Sequence, residues 1–294
     1  MNIVKLRTVW YAFSGTLIIA SIFAVATFGL KQGIDFTGGS LMTLRFEKRP
    51  TSLEVERAMT TLDLGSVVIQ PVGDNEMNIR TKTLDEKGHG DLLAAVQETF
   101  GKAEELRYDS IGPSIGAELR DKSWKALLIV FGSILAYIAY TFRKVSTPVQ
   151  SWKYGLITVF TAFHDVIIPI GLFAILGKYF NVEIGTPFIA AILTIMGYSI
   201  NDTIVVLDRV RENLHRMGGD FEHIVSTSLK QTYLRSFNTS ITTLFSLVAI
   251  YFFGGESIRD FALALIVGIV TGTYSSIFIA SPLLVTWHRL TQRR

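Results

Sequence analysis

The 294-residue chain is strongly apolar and lightly charged: 49% of its residues are hydrophobic, 18% are charged, and the mean hydropathy is +0.38. A soluble protein of this length carries more charge and shorter apolar runs, so the composition indicates a membrane protein. The formal charge of +3 is too small to suggest a nucleic-acid partner. The chain has no cysteine, which excludes disulfides, thiolate chemistry and cysteine metal sites.

Long apolar runs predict transmembrane helices, because a helix of about 20 apolar residues crosses the hydrocarbon layer. There are six such runs: Val9–Leu30, Trp124–Phe142, Tyr154–Leu176, Pro187–Leu207, Ser236–Phe253 and Asp260–Trp287. The first follows a short basic start, as a signal peptide would, but its apolar part is too long for one. We therefore expect an uncleaved anchor in residues 1–30 and the other five spans in residues 123–294.

Lysine and arginine residues near the span ends predict the orientation of the chain. One set of loops and ends is rich in them: Lys5, Arg7, Arg143, Lys144, Lys153, Arg209, Arg211, Arg216, Lys230, Arg289, Arg293 and Arg294. The opposite short loops carry only Lys178 and Arg259. Both termini are therefore expected in the cytoplasm, and residues 31–122 are expected outside it.

Residues 31–122 have the pattern of a small α+β domain. Strands are predicted at Leu41–Phe46, Val67–Val72, Met77–Arg80 and Glu104–Ile111. Ser52 is the predicted cap of a helix that follows the first strand, and apolar residues from Leu92 to Phe100 repeat at the spacing of a second helix. The order strand, helix, strand, strand, helix, strand predicts a ferredoxin-like domain.

Polar residues within the predicted spans are the candidate functional residues, because a charge at mid-membrane costs about 2.5–3.5 kcal/mol. The fourth span contains Asn201, Asp202 and Thr203. Hydrogen bonding between helices would explain Asn201 and Thr203, but a carboxylate is a costly way to make one hydrogen bond. A functional role is therefore favoured for Asp202.

The third span contains His164 and Asp165 near its middle. Adjacent residues of a helix point about 100° apart, so we expect these two not to face the same partner. A buried structural hydrogen bond and a functional role remain equally compatible with the pair. No further ligand-type residues accompany it at the spacing of a metal site, so neither a metal nor a cofactor is expected.

The fifth span has a polar stripe, since Arg235, Thr239, Thr242 and Ser246 share one helix face. Such a stripe is expected to face the bundle interior or a water-filled path, although Arg235 alone could extend to the cytoplasmic headgroups. A movement that changes the distance between Arg235 and the carboxylate of the fourth span could bind and release a proton.

The sixth span begins near Asp260, where an acid is favoured by the helix dipole, and we expect a capping role for it. Further along, Gly268 and Gly272 form a GxxxG pattern, which usually means close helix packing. The chain has no phosphate loop, dinucleotide fingerprint or nucleophile elbow. An ion gradient is therefore the expected energy source.

Several motifs resemble those of the SecF family of protein-export membrane subunits, which belongs to the SecD/SecF family and the RND superfamily. They are Gly33–Gly39 after the first span, Gly197–Asn213 in the fourth span, and the shorter stretches His164–Asp165, Arg235–Thr243 and Gly272–Phe278. Leu207 stands where phenylalanine is common in the family, a change that conserves volume. The resemblance covers nearly the whole chain.

The resemblance implies that the spans form a six-helix RND-type transmembrane bundle in the bacterial cytoplasmic (inner) membrane, with the ferredoxin-like domain on its outer side. The implied partners are the sister subunit SecD, the SecYEG translocon and translocating polypeptides, together with membrane lipid. The implied activity is the use of the proton motive force to assist protein translocation, which is not an enzymatic reaction.

The resemblance also implies roles for individual residues. Asp202 and Arg235 would belong to a proton path, with Asp260 as a further member. The supporting polar residues would be Asn201, Thr203, Thr239, Thr242, His164 and Asp165. Gly33, Gly38 and Gly39 would shape a tight turn between the first span and the outside domain, and Asp35 would cap or orient that turn.

Three other functions remain to be weighed. An exporter of small molecules or ions from the same superfamily would need a deeper outside domain than residues 31–122 provide. An intramembrane aspartyl protease would need two carboxylates that share a proton, and the sequence around Asp165 and Asp202 lacks the Gly-x-Gly-Asp context of such enzymes. A structural scaffold for the translocon is the third alternative.

Overall fold

The computed structural model describes residues 3–141 and 150–292. It divides into two compact units, one formed by Met1–Lys31 with Lys125–Arg294 and the other by Gln32–Trp124. Some residues used to predict the spans and their orientation lie outside the described residues, namely Phe142, Arg143, Lys144, Arg293 and Arg294.

The chain begins with helix α1 (Arg7–Phe28) and then enters the smaller unit. The elements of that unit are α2 (Ile34–Thr37), β1 (Gly39–Phe46), α3 (Ser52–Ala58), β2 (Val68–Val72), β3 (Glu76–Thr81), α4 (Glu86–Phe100) and β4 (Ala103–Ile111). The strands form one four-stranded sheet in the order β2-β3-β1-β4, and each neighbouring pair is antiparallel.

The core of the smaller unit lies between one face of this sheet and the two longer helices. Alternate residues of a strand share a face, and in β1 the residues Met42, Leu44 and Phe46 are buried together. The helices contribute Val55 from α3 and Val96 from α4 to the same cluster. The strand pattern therefore places one apolar face of the sheet under the helices.

The cap of α3 differs from the predicted one. Ser52 is the first residue of the helix, and Thr51 is its cap. The Thr51 hydroxyl accepts from the backbone N–H of Glu54, and the Glu54 carboxylate accepts from the Thr51 backbone N–H at 2.7 Å. This reciprocal capping box requires an acid three residues after the cap, and only Thr51 has one at that spacing.

Two glycines at the start of the sheet adopt backbone conformations that favour glycine. Gly38 has φ +73° and Gly39 has φ +128°. A Cβ atom would lie 2.8 Å from the Cα of Pro113 at the first position, and 2.7 Å from the carbonyl oxygen of Thr81 at the second. Gly33 has φ −76°, so its backbone conformation is open to other residues.

The larger unit continues through long helices. They are α5 (Pro113–Thr141, which begins in the smaller unit), α6 (Ser151–Phe180), α7 (Thr186–Arg216), α8 (Phe221–Phe253), α9 (Glu256–Ser275), a π-helical turn (Ser276–Ala280) and α10 (Ser281–Gln292). Within the described residues, five helices are long and apolar enough to cross a membrane: Arg7–Phe28, Trp152–Phe180, Thr186–Arg216, Phe221–Phe253 and Ile258–Gln292. The predicted span Trp124–Phe142 runs along α5 and ends outside the described residues, so the count of six stays a prediction.

The central helices of the larger unit are α6, α7 and the α9–α10 segment. In α6 and in the α9–α10 segment, 56% of the most apolar stretch of the helix is buried, whereas in α1 and α8 only 17% of that stretch is buried. Close approach of α9 to α7 depends on the GxxxG pattern, since a Cβ at Gly268 would lie 2.2 Å from Ile195 and one at Gly272 would lie 3.1 Å from Ser199. The small residues therefore let α7 and α9 pack backbone to backbone.

Helices α7 and α8 extend beyond the predicted spans and form a hairpin, where a loop with several basic residues was expected. The amide of Asn213 donates to the Ser228 hydroxyl at 2.8 Å and to the Gln231 side chain at 2.9 Å. At the end of this hairpin, Glu222 pairs with Arg7 of α1 and Arg289 of α10. Polar side chains therefore join the helix ends that lie beyond the apolar region.

Candidate functional site

Asp202 lies in the middle of α7 and is almost completely buried, with 8% of its surface exposed. The Ser276 hydroxyl donates a hydrogen bond to its Oδ2 atom. Arg235 of α8 is close enough for its charge to act on the carboxylate, although these two described residues form no ion pair. Asp202 is therefore a buried ionisable group with a cation near it but not bound to it.

The partner of Asp202 lies at the π-helical turn that separates α9 from α10. Ser276 begins this turn, and Ser275 is the last residue of α9. Pro282 follows the turn closely and cannot donate a backbone hydrogen bond, so regular α-helical bonding is interrupted here. The two serines point in different directions, and Ser275 donates to Oδ2 of Asp165 at 2.6 Å. Consecutive residues thus hold two buried carboxylates, one from α7 and one from α6.

Asp165 is fully buried and has three side-chain partners. Its Oδ2 atom accepts from Ser199 of α7 as well as from Ser275, and its Oδ1 atom lies 2.7 Å from Nδ1 of His164. The expectation that His164 and Asp165 do not face the same partner is confirmed, since His164 contacts Ser14 whereas Asp165 accepts from Ser199 and Ser275. What was not expected is that the two side chains also contact each other. Their Cα–Cβ vectors diverge, but both side chains are long enough to meet beside the helix, while their other partners lie on different helices.

The imidazole of His164 extends the network to α1. Its Nε2 atom lies 3.2 Å from the Ser14 hydroxyl, which lies 3.3 Å from the Tyr274 hydroxyl. The Tyr274 hydroxyl in turn lies 3.2 Å from the backbone oxygen of Trp10. A continuous set of polar contacts therefore joins α1, α6, α7 and α9 inside an otherwise apolar unit.

The polar stripe of α8 is exposed in this chain and does not face the interior of the bundle that the described residues form, so of the two expected surroundings the water-filled path stays a prediction. Arg235, Thr239 and Thr242 are exposed, whereas Ser236 and Ser240 lie on the buried face of the same helix. The Thr239 and Thr242 hydroxyls donate to backbone oxygens of their own helix, so they need no partner helix for hydrogen bonding. The sequence pattern correctly groups these residues on one face but does not reveal which face the chain buries.

The other polar residues predicted in the fourth span separate into two environments. Asn201 is exposed in this chain. Thr203 is fully buried, and its hydroxyl has no hydrogen-bond partner among the residues that the structure describes. Tyr198, one turn before Asp202, donates to the Ser240 hydroxyl of α8 at 3.3 Å, and the Ser240 hydroxyl lies 2.5 Å from that of Thr273 in α9. These contacts connect α7, α8 and α9 beside Asp202.

Asp260 is not brought close to Asp202. It is the fifth residue of α9, and the cap of that helix is Gly255, so the predicted capping role is wrong. Ser276, which binds Asp202, lies sixteen residues further along, or about 24 Å for a helical rise of about 1.5 Å per residue. Asp35, in the short helix α2, belongs to the smaller unit and not to this site.

Sequence reasoning did not identify Ser14 and Tyr274 as members of the network. Ser14 is one of several isolated hydroxyl residues in α1, and nothing in the pattern distinguishes it from the others. Ser275 and Ser276 lie in a stretch of small residues that suggested helix packing alone. Their place in the motif Gly272–Phe278 was the available signal that they have another role.

The site brings together groups that are able to exchange protons, namely two buried carboxylates, an imidazole and several hydroxyl groups. Hydroxyl donors stabilise a carboxylate, and an imidazole can bind or release a proton near neutral pH. Within residues 3–141 and 150–292, no group of three or more His, Cys, Asp or Glu side chains is arranged to hold a metal ion.

Comparison with known proteins identifies the family. The model of the protein export membrane protein SecD/SecF C-terminal region matches residues 91–290, and the SecD/SecF GG motif matches residues 23–48. The protein translocase subunit SecF of Thermobaculum terrenum is 43% identical over 98% of this chain and 94% of its own length. The SecF subunit of Sebaldella termitidis is 40% identical over 98% of this chain and 92% of its own length.

A solved structure supports the same family. The crystal structure of SecDF, a translocon-associated membrane protein from Thermus thermophilus, matches all of this chain with a TM-score of 0.87 and 35% identity. This chain covers 39% of that longer chain. The resemblance inferred from the motifs is confirmed, and the chain belongs to the SecD/SecF family of protein export membrane proteins, with SecF subunits as its relatives over nearly its full length.

Proposed function

We propose that this chain is an accessory subunit of the Sec protein-export machinery and assists the movement of polypeptides across the cytoplasmic membrane. Its relatives over nearly their full length are named protein translocase subunits, and its larger unit has several helices that are apolar enough to span a membrane. Its role is that of a transport component and not of an enzyme.

A SecD subunit is the partner best supported. The Thermus thermophilus chain is named SecDF, and this chain covers 39% of it, so the remainder of that protein is the counterpart of a separate partner. The exposed polar stripe formed by Arg235, Thr239 and Thr242 is the surface that this partner would cover, since a charged stripe in contact with lipid is costly. The SecYEG channel and the translocating polypeptide complete the proposed assembly.

The proposed architecture is a six-helix RND-type bundle with a ferredoxin-like domain outside the membrane. The strands lie in the order β2-β3-β1-β4. Along the chain, α3 connects β1 to β2 and α4 connects β3 to β4, which supports a split βαβ arrangement. Helix α5 would be the sixth span. The basic residues at the ends of the spans support cytoplasmic termini.

The proton motive force is the proposed energy source, and the burial of Asp202 beside the charge of Arg235 is the observation that carries this proposal. An ionised Asp202 attracts Arg235, and binding of a proton removes that attraction. The two charge states would therefore favour different distances between α7 and α8. Movement of one charge through 100 mV supplies about 2.3 kcal/mol, and this is the energy that would bias the two arrangements.

Residues around this pair would support the path. Asn201 and the threonines of the α8 stripe would line it on the partner-facing side, and Thr203 would lie on its buried side. Asp260, near the start of α9, would act only at the outer entrance, because it is far from Asp202 along the bundle.

The test is Asp202→Asn in the chain assembled with SecD and the translocon in vesicles, with translocation measured with and without an imposed proton gradient. We expect the gradient-dependent stimulation to be lost. Asp208→Asn is the matched control, since Asp208 lies on the same helix but is exposed and pairs with Arg211 at 3.3 Å. Full stimulation with Asn at 202 would reject the proton role and favour a scaffold, and stimulation by a sodium gradient instead would reassign the coupling ion.

A further inference from the structure

A series of hydrogen bonds connects His164 to Ser14, Tyr274 and finally the backbone oxygen of Trp10. The direction of each bond follows from this last acceptor. The backbone oxygen of Trp10 can only accept, so the Tyr274 hydroxyl must donate to it. A hydroxyl has one proton, and Tyr274 must therefore accept from Ser14. The single proton of Ser14 is used in that bond. The remaining contact joins Nε2 of His164 and the Ser14 oxygen at 3.2 Å. It is a hydrogen bond only if Nε2 carries a proton and donates it to Ser14.

A second proton lies on the other side of the imidazole. Nδ1 of His164 is 2.7 Å from Oδ1 of Asp165, a distance at which a bare nitrogen and an ionised oxygen would repel each other. Either Nδ1 donates to the carboxylate or a protonated carboxyl donates to Nδ1. In both cases one proton lies between the two atoms, and the pair as a whole has no net charge.

The surroundings of the pair agree with this proton count. His164 and Asp165 are both fully buried, and a single uncompensated charge there would be costly. The Oδ2 atom of Asp165 is occupied by the hydroxyls of Ser199 and Ser275, which stabilise the carboxyl group without supplying charge. A neutral pair satisfies the polar atoms and avoids that cost.

The titratable groups that face the pair come from two neighbouring helices. Tyr274 of α9 stacks on the His164 ring with 6.1 Å between ring centroids, and Asp202 of α7 is close enough for its charge to act on Asp165. Helix α1 contributes the Ser14 hydroxyl, and α7 and α9 contribute the hydroxyls of Ser199 and Ser275. Helix α10 packs against the far end of α6, where Lys153 donates to Thr291 at 3.0 Å.

We propose that His164 and Asp165 form a second protonatable site of the membrane bundle, which holds one shared proton and is linked to Asp202 through the adjacent serines 275 and 276. Ser275 donates to Asp165 and Ser276 donates to Asp202, so a change in the charge of one carboxylate shifts the short segment that also binds the other. The link to transport rests on the proposed role of Asp202, whereas the proton count of the pair does not. A π-helical turn suits this role, because its hydrogen bonding is less regular than that of an α-helix.

The proton count is tested by nitrogen NMR of the complete chain, assembled with SecD and labelled at histidine. We expect the His164 signals of a protonated Nε2 and of an Nδ1 that shares a proton. His164→Gln identifies the signals among the five histidines by their loss. Asp165→Asn provides a second assignment by shifting them, in case the first variant does not assemble. A His164 with a bare Nε2 at neutral pH would overturn the proposal.

The link to Asp202 is tested with Ser275→Ala in the gradient-driven translocation assay. We expect the stimulation to fall about tenfold, the size expected for loss of one hydrogen bond to a charged group, and its pH profile to shift. Ser281→Ala is the matched control, since its hydroxyl is also buried but has no hydrogen-bond partner among the described residues. An unchanged pH profile in Ser275→Ala would reject the link. Gradient-dependent transport by Asp202→Asn would reject the proposed function instead, and the NMR result on His164 would stand apart from it.

Discussion

Two carboxylates in the membrane bundle differ in how firmly they are held. Asp165 has contacts from His164, Ser199 and Ser275, whereas Asp202 accepts from Ser276 and has the Ser236 hydroxyl of α8 as its other hydroxyl neighbour. More partners restrict a side chain more strongly, and each bond lost inside a protein is costly. Asp202 is therefore the carboxylate better suited to change its charge and its distance from a neighbouring cation.

Ser276→Ala should weaken both the stability and the activity of the assembly. Loss of the hydroxyl leaves Asp202 without that donor, and we expect the free energy of unfolding to fall by about 1–3 kcal/mol. Thermal unfolding in mild detergent measures the first effect, and gradient-driven translocation measures the second. Ser276→Thr keeps a hydroxyl at this position and should retain more activity. Equal loss in both variants would show that the hydrogen bond to Asp202 is not what matters.

Acid should loosen the first turn of α3. Hydrogen bonds from the backbone N–H and the hydroxyl of Thr51 hold the pKa of Glu54 below its ordinary value of 4.5. A lowered pKa in the folded state means that this stabilisation is present above pH 4.5 and is lost as the pH falls through the lower value. Hydrogen exchange of the first α3 amides should therefore accelerate on acidification. Glu54→Gln should show little pH dependence in this range, and an equal acceleration in that variant would contradict the assignment.

At the scale of the helices, small residues control which side chains meet. Gly268 and Gly272 bring α9 against α7, so that Ser199, which faces Gly272, can also donate to Asp165. Gly171 does the same for α6 and α1, since a Cβ there would lie 2.4 Å from that of Ser21. The polar network is therefore assembled by close helix packing as much as by its own hydrogen bonds.

Gly268→Ala should separate α9 from α7. The new methyl group would lie 2.2 Å from the Ile195 side chain, which must move, and overpacking of this kind costs about 1–3 kcal/mol. Thermal unfolding of the assembled protein measures the loss. Gly15→Ala is the matched control in α1, because no atom lies within 4 Å of its added Cβ, and it should be neutral or stabilising. A neutral Gly268→Ala would show that the packing is looser than described.

At the scale of the whole molecule, the absence of cysteine permits a direct test of orientation. Ser66 is an exposed residue of the smaller unit, and Gly218 is an exposed residue of the turn between α7 and α8. In intact cells, an impermeant thiol reagent should label Ser66→Cys from outside, whereas Gly218→Cys should react only after the membrane is opened. The reverse result would place the termini outside the cytoplasm.

Much of the architecture could be read from local patterns. The predicted strand Glu104–Ile111 corresponds to Ala103–Ile111, and the apolar run Tyr154–Leu176 lies within the helix Ser151–Phe180. These patterns are periodic, and burial of one face is a property of the segment itself. The cap of α3 was missed by one residue, because Thr51 and Ser52 are both good caps and the position of Glu54 decides between them.

The sequence by itself determined the membrane class, the family, the strand and helix order of residues 31–122, and the presence of buried acids in the third and fourth spans. Only the tertiary structure decided what those acids contact. It showed that Asp202 binds Ser276, that His164 and Asp165 meet each other and reach Ser14, and that the Arg235 stripe is exposed in this chain. The physical reason is that periodicity specifies which residues share a face, whereas the neighbour of each face depends on how distant helices pack.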